Sequence, residues 1–387
     1  MKLNNYFLYV MIFLYLVFTI FNITMKEIIL LFIFIYVFVN ILYLKPLITI
    51  DYKKETELFP LVSIIMPAWN EEDIINETIK NVLKSTYANF ELIIIAGGDD
   101  KTYESANCFL KKDNRIKVIK QEPLGKSAAL NKGLKYVQGE IVVFLDADSQ
   151  VEENWLKYLV RPIINGESNI AVANFKPYIE NWVSMWYSLY FSYLRNVENK
   201  KSFFGGSRAF ERAIFNDASV LDEKVIADDY YLGVRLGKKY KIKFVEESIV
   251  RTDIPSTLTK FFITETRWVR ILLNNTLIFG DRKVKNIFSF LNVIYFISGL
   301  PIWLYLFYIS GKEGSFIFLK VWFSYFSLLI LLNLVKPFSL YRITKDSKWL
   351  HYAWIVLVFP VIEYLLYFYA ILTYRKVTLF FKGPRKL

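Results

Sequence analysis

The chain has 387 residues, room for one mid-sized globular domain plus several membrane helices, and it is 55% apolar and 18% aromatic. Its formal net charge of +12 points to membrane surfaces or phosphorylated ligands, and no zinc-finger, homeodomain or RNA-recognition pattern supports nucleic acid. The lone Cys108 excludes an internal disulfide and, with His351 the only histidine, leaves catalysis to carboxylates, lysines, arginines or a cation held by oxygen ligands.

Two apolar runs open the chain, Tyr6–Ile23 and Ile28–Leu44, separated by Lys26 and Glu27. Each approaches the roughly 20 residues of a membrane span. No small-residue cleavage site follows the first, so a helical hairpin over residues 1–50 is expected rather than a cleaved leader.

Over residues 51–256 the composition turns globular. Ile- and Val-rich runs at Val62–Met66, Leu92–Ile95, Ile116–Ile119 and Ile141–Leu145 read as strands. They alternate with helix-like stretches at Glu71–Lys84, Thr102–Lys112 and Lys126–Val137. Strands this apolar, between helices, predict an α/β fold with a mostly parallel sheet covered on both faces. Ligands of such sheets lie beyond the carboxyl ends of the strands.

Residues 257–280 are amphipathic, with Arg267, Trp268 and Arg270 among apolar side chains, which suits a helix in the membrane interface. Residues 281–387 hold three further apolar runs, Ile287–Ile309, Ser315–Val335 and Trp349–Tyr374, and a basic tail. The globular domain is thus expected between membrane helices. A cytoplasmic domain after two spans would put the tail outside if three spans follow, whereas Arg375, Lys376, Lys382, Arg385 and Lys386 favour the inside. A break at Gly299-Leu300-Pro301 would reconcile the two.

The strand ends carry the candidate chemistry. After the first come Pro67-Ala68-Trp69-Asn70-Glu71, where Asn70 is placed to cap a helix and exposed amides can hold a nucleotide; an ordinary cap has the same residues. After the second come Gly97-Gly98-Asp99-Asp100, which suit close approach of a base or ribose, or a plain turn. Lys126 at a helix start can face a diphosphate or simply solvent. The fourth strand ends in Asp146-Ala147-Asp148, two carboxylates one residue apart and facing the same way, an oxygen-only pair suited to Mg²⁺ or Mn²⁺ on a substrate's phosphates. Gly205-Gly206 is a small-residue turn fit to line an acceptor site, and the adjacent acids Asp228 and Asp229 would by themselves complement a helix dipole.

Taken in order, Pro67–Glu71, Asp146-Ala147-Asp148, Gly205-Gly206, Asp228-Asp229 and Arg267-Trp268 resemble the membrane-bound family 2 glycosyltransferases. These are inverting enzymes with the GT-A type of fold, among them cellulose, hyaluronan, chitin and poly-N-acetylglucosamine synthases. The resemblance runs from Val62 to Trp268. It implies that Ala68, Asn70, Glu71, Asp100, Lys126, Asp146 and Arg267 bind a nucleotide-diphosphate sugar, and that Asp146 and Asp148 hold Mg²⁺ or Mn²⁺. It further implies that Asp229 is the base, and that Gly206, Asp228 and Trp268 meet the acceptor. The acceptor would be a lipid carrier or glycan, with membrane lipids around a multi-pass cell-membrane protein whose catalytic domain is cytoplasmic. Two features depart from the pattern. The acids near the base come late, at Asp99 and Asp100, and Thr264 stands where the synthases carry glutamine. The second disfavours the alternative of a processive synthase that secretes its product. A non-catalytic transporter or scaffold with a nucleotide-binding domain is the other alternative.

Overall fold

The structure is a computed structural model that describes residues 59–196, 206–216, 221, 232–233, 235–237, 239–278, 308 and 334–373. The described residues divide into two compact units, one within Ile50–Ser184 and Asn199–Phe261, the other within Met185–Glu198 and Phe262–Tyr374. Of residues 51–256, Met185–Glu198 group with later residues.

The first unit is a layered α/β domain. Its strands are β1 (Val62–Trp69), β2 (Phe90–Gly97), β3 (Ile116–Lys120), β4 (Ile141–Leu145), β5 (Gln150–Val151), β6 (Ile170–Pro177), β7 (Ser207–Glu211) and β8 (Ile242–Thr252). Between them lie helices α1 (Ile75–Leu83), α2 (Thr102–Asn107), α3 (Lys126–Leu134) and α4 (Trp155–Ile164). One sheet has the order β3-β2-β1-β4-β7-β6-β8-β5. Strands β1 to β4 pair in parallel; β7 then pairs antiparallel with both β4 and β6, and β5 antiparallel with β8. Strand β6 pairs in parallel with β8, so the sheet is mixed, with parallel pairs in the majority as expected and the antiparallel ones on the side of the later strands.

Alternation along the central strands builds a core on each face. Ile64, Met66, Leu92, Ile94, Val143 and Leu145 pack with Ile75, Ile79 and Val82 of α1 and with Trp155, Leu156 and Leu159 of α4. Ile65, Ile93, Ile95, Val142 and Phe144 pack with Ala129 and Leu130 of α3. Helix α1 follows because Ile75, Thr78, Ile79 and Val82 recur on one face at helical spacing. Burial on both faces explains why β1 and β2 read as nearly continuous apolar runs, interrupted only by Ser63 and Glu91 near their starts.

The second unit contains most of α5 (Trp182–Asn196) and of α6 (Leu258–Ile278), from Met185 and Phe262 onward, and all of α7 (Ile355–Leu372). Trp186 Nε1 donates to Glu363 at 2.6 Å, and the Tyr187 hydroxyl donates to Glu265, so α5 is tied to both other helices. Helix α6 covers nearly all of the segment 257–280 read as amphipathic, and Leu258, Phe262 and Ile263 stand exposed along it. Among the described residues no helix is long and apolar enough to cross a membrane. The run Trp349–Tyr374, expected as one span, is split by a turn at residues 352–354, and α7 carries Pro360 and Glu363. The spans expected at 6–23 and 28–44 lie outside the described residues, as do nearly all of those at 287–309 and 315–335.

Candidate active site

The carboxyl ends of β1, β2 and β4 converge on one edge of the first unit. Strand β1 runs into Asn70, whose φ of 57° is left-handed. Its N–H donates to Gly97 O at 3.2 Å, and its Oδ1 accepts the Asp99 N–H at 2.8 Å. A Cβ on Gly98, which has φ of 131°, would lie 2.0 Å from Asn70 Oδ1, so this turn requires glycine. Asn70 therefore joins β1 to β2 and does not cap α1. The helix starts at Ile75 with Ile74 as its cap residue and no side-chain cap bond, because a turn over residues 71–74 comes first.

Neighbouring residues complete this framework. The Glu71 N–H donates to Thr102 Oγ1 at 2.6 Å, and the Glu71 carbonyl accepts the Ile75 N–H at 2.9 Å. Asp100 bridges the two loops, accepting the Glu72 N–H at 3.1 Å and the Thr102 N–H at 3.0 Å. Burial raises the Asp100 carboxyl, but the bonds from Thr102 and Glu72 outweigh it and hold the group below its ordinary value. Its ionised form is thus engaged in architecture, while Asp99 beside it is exposed. Ala68 is buried in the core opposite Ala96, one residue before the end of β1.

At the end of β4 the structure brings together residues far apart in sequence. Lys126, the first residue of α3, places Nζ 2.7 Å from Asp146 Oδ1. The Asp146 N–H donates to Gly206 O at 2.8 Å, joining the acidic loop to the start of β7. A Cβ on Gly206 would meet Ser149 Oγ at 2.3 Å, so a larger residue there would require the Ser149 hydroxyl to turn away. The loop's carbonyls are also held. Asp146 O accepts the Ser149 N–H at 3.1 Å, Ala147 O the Thr78 hydroxyl at 2.7 Å, and Asp148 O the Tyr178 hydroxyl at 2.7 Å. Thr78 and Tyr178 escape sequence reasoning because they lie 69 and 30 residues from their partners, with no local motif around either.

Asp146 and Asp148 fit a divalent cation by donor chemistry. Mg²⁺ and Mn²⁺ need only one or two protein carboxylates when phosphate oxygens and water supply the rest. No group of three or more His, Cys, Asp or Glu suited to a metal occurs among the described residues. Asp228 and Asp229 lie outside the described residues. Arg267 and Trp268 lie half-buried on α6 within the second unit. There Glu265, two residues earlier, has its carboxyl raised by burial, opposed by the Tyr187 hydroxyl and by the Arg267 charge.

Residues 63–230 match the family described as Glycosyl transferase family 2. The chain is 36% identical over 118 residues to the UDP-Glc:alpha-D-GlcNAc-diphosphoundecaprenol beta-1,3-glucosyltransferase WfgD of Escherichia coli, covering 30% of this chain and 46% of that one. It is 26% identical over 222 residues to the poly-beta-1,6-N-acetyl-D-glucosamine synthase of Staphylococcus aureus, covering 54% of each. The chain thus spans about half the length of the curated relatives it matches. Among solved structures, the mannosyltransferase PcManGT from Pyrobaculum calidifontis, in complex with GDP-Man and Mn²⁺, superposes with a TM-score of 0.50 at 20% identity, covering 62% of this chain and 69% of that one. At that identity the likeness concerns the fold, which is of the GT-A type.

Proposed function

We propose that this chain, which carries a family 2 glycosyltransferase domain, moves a sugar from a nucleoside-diphosphate donor to a membrane-associated lipid or glycan acceptor, with inversion. The observation that carries the proposal is the convergence of Lys126, Asp146 and Gly206 at the carboxyl ends of the central strands, inside the matched segment. That edge is where such sheets bind ligands.

The chain's residues divide the work. The rigid turn of Asn70, Gly98 and Asp100 offers a fixed wall to the nucleoside, and exposed Asp99 offers a carboxylate for ribose or base. Lys126 at the start of α3 brings positive charge to the diphosphate. Asp229 takes the acceptor hydroxyl proton as that oxygen bonds to the anomeric carbon and the bond to the diphosphate breaks. A single displacement inverts the anomeric centre. Asp146 and Asp148 would hold Mg²⁺ or Mn²⁺, which when bound neutralises charge on the departing diphosphate. Arg267 and Trp268 are assigned to donor and acceptor respectively on the resemblance.

Membrane attachment through the apolar runs outside the described residues, with the domain on the cytoplasmic side, puts a lipid-linked acceptor within reach. WfgD is named for such an acceptor. A processive synthase is the second reading, favoured by the likeness over 222 residues to the poly-N-acetylglucosamine synthase and disfavoured by Thr264. Purified protein incubated with radiolabelled nucleotide sugars and native lipid extract tests the proposal. A glycolipid or short glycan supports transfer, long polymer supports the second reading, and no donor turnover at all leaves a non-catalytic role.

A further inference from the structure

The acidic loop is gripped by its backbone from two sides. Thr78 of α1 donates its hydroxyl to Ala147 O, and Tyr178, just past β6, donates its hydroxyl to Asp148 O, each at 2.7 Å. These two carbonyls belong to the two peptide planes that flank the Asp148 Cα. With both planes tied, the direction in which the Asp148 side chain leaves the backbone is set, and only its own rotamers remain.

We propose that Tyr178, with Thr78, is a positioning residue of this enzyme: its hydroxyl fixes the Asp148 peptide so that the carboxylate is pre-aimed at the cation and donor diphosphate. The inference rests on the transferase reading above and extends it to residues outside every motif of the chain. Tyr178 is 38% exposed, so its hydroxyl bond is not a by-product of deep core packing. The remaining loop carbonyl, Asp146 O, is closed by the Ser149 N–H at 3.1 Å, so the whole turn is held.

Residues that orient a metal ligand typically change metal affinity or activity by 10–100-fold when removed. The test uses the full-length wild type, Tyr178→Phe, Thr78→Val and Thr78→Ser, with free Mn²⁺ followed by electron paramagnetic resonance in the presence of UDP or GDP. Tyr178→Phe is expected to weaken Mn²⁺ about tenfold or more while melting temperature and metal-free nucleotide binding stay put. Thr78→Val should act in the same direction and Thr78→Ser should recover, since it keeps the hydroxyl. Wild-type Mn²⁺ affinity in Tyr178→Phe overturns the inference and leaves the transferase reading standing. A wild type that binds neither nucleotide nor Mn²⁺ overturns both. If Thr78→Val does not fold, the exposed Tyr178 carries the decision alone.

Discussion

Lys126 Nζ and Asp146 Oδ1 are 2.7 Å apart, so the ammonium at the head of α3 and the first carboxylate after β4 form one ion pair. The side chains are 37% and 30% exposed, and a pair so exposed adds little to stability, about 0–1 kcal/mol. The pair instead keeps a cation and an acid together at the strand ends. Lys126→Met should leave the melting temperature nearly unchanged while weakening nucleoside-diphosphate binding. Charge-assisted bonds are worth about 1.5–3 kcal/mol, or roughly 10–100-fold in affinity. Calorimetry with UDP and GDP checks it; unaltered affinity removes Lys126 from the donor site.

Transfer should require Mg²⁺ or Mn²⁺, and Asp148→Ala should abolish it. The two strand-end carboxylates are the oxygen ligands available in that loop, and no nitrogen or sulfur ligand stands beside them in sequence. Full transfer after exhaustive EDTA treatment would refute this.

Asp229→Asn is isosteric and removes basicity with little change in packing. A general base contributes roughly 10²–10⁴-fold in rate, so transfer should fall by that factor with donor affinity retained. Asp228→Asn should have the smaller effect on turnover. If both acids only complement a helix dipole, each variant would lose about 0.3–1 kcal/mol of stability and keep normal turnover. Transfer rates beside donor calorimetry separate the two outcomes.

Acid should unfold the domain through Glu91, at the opposite end of the sheet from the site. Glu91 accepts from Ser63 Oγ at 2.6 Å, Gln138 N at 2.7 Å and Lys117 Nζ at 2.9 Å. Burial raises its carboxyl, and the bonds from Ser63, Lys117 and Gln138 more than reverse this, so its value in the fold lies below the ordinary 4.5. The stabilisation is therefore complete above about pH 4.5 and is lost as pH falls through the lower folded value. Glu91→Gln should lower stability by roughly 1–3 kcal/mol at pH 7 and flatten the acid limb. Urea melts between pH 7 and pH 3 give the comparison.

Cys108, the single cysteine, is exposed on the first unit and can test the proposed cytoplasmic placement of the domain. An impermeant maleimide should label it only after sealed cells are permeabilised. Labelling in intact cells would contradict a cytoplasmic domain.

The amino-acid sequence alone determined the central strands and the acids at their ends. Ile- and Val-rich runs such as Leu92–Ile95, alternating with helix-like stretches, suit strands buried on both faces, and a strand's period aims Asp146 and Asp148 the same way. Tertiary structure decided the rest. Strand β1 extends through Pro67 and Ala68 to Trp69 because β2 pairs along its whole length, against local preference. Strand β8, with Glu246, Glu247 and Ser248 amid its apolar residues, reads as no clear run, and its partner β6 fixes it by pairing across a register shift. Asn70, named as a helix cap, became a strand-to-strand tie because its left-handed backbone turns the side chain toward the Asp99 amide. Lys126 and Asp146 were both legible as site residues, yet only the packing of α3 against β1 and β2 makes them one pair. Thr78 and Tyr178 were invisible for the same reason: a hydroxyl reaching a distant carbonyl leaves no pattern in sequence, since the backbone it holds is chemically the same at every position.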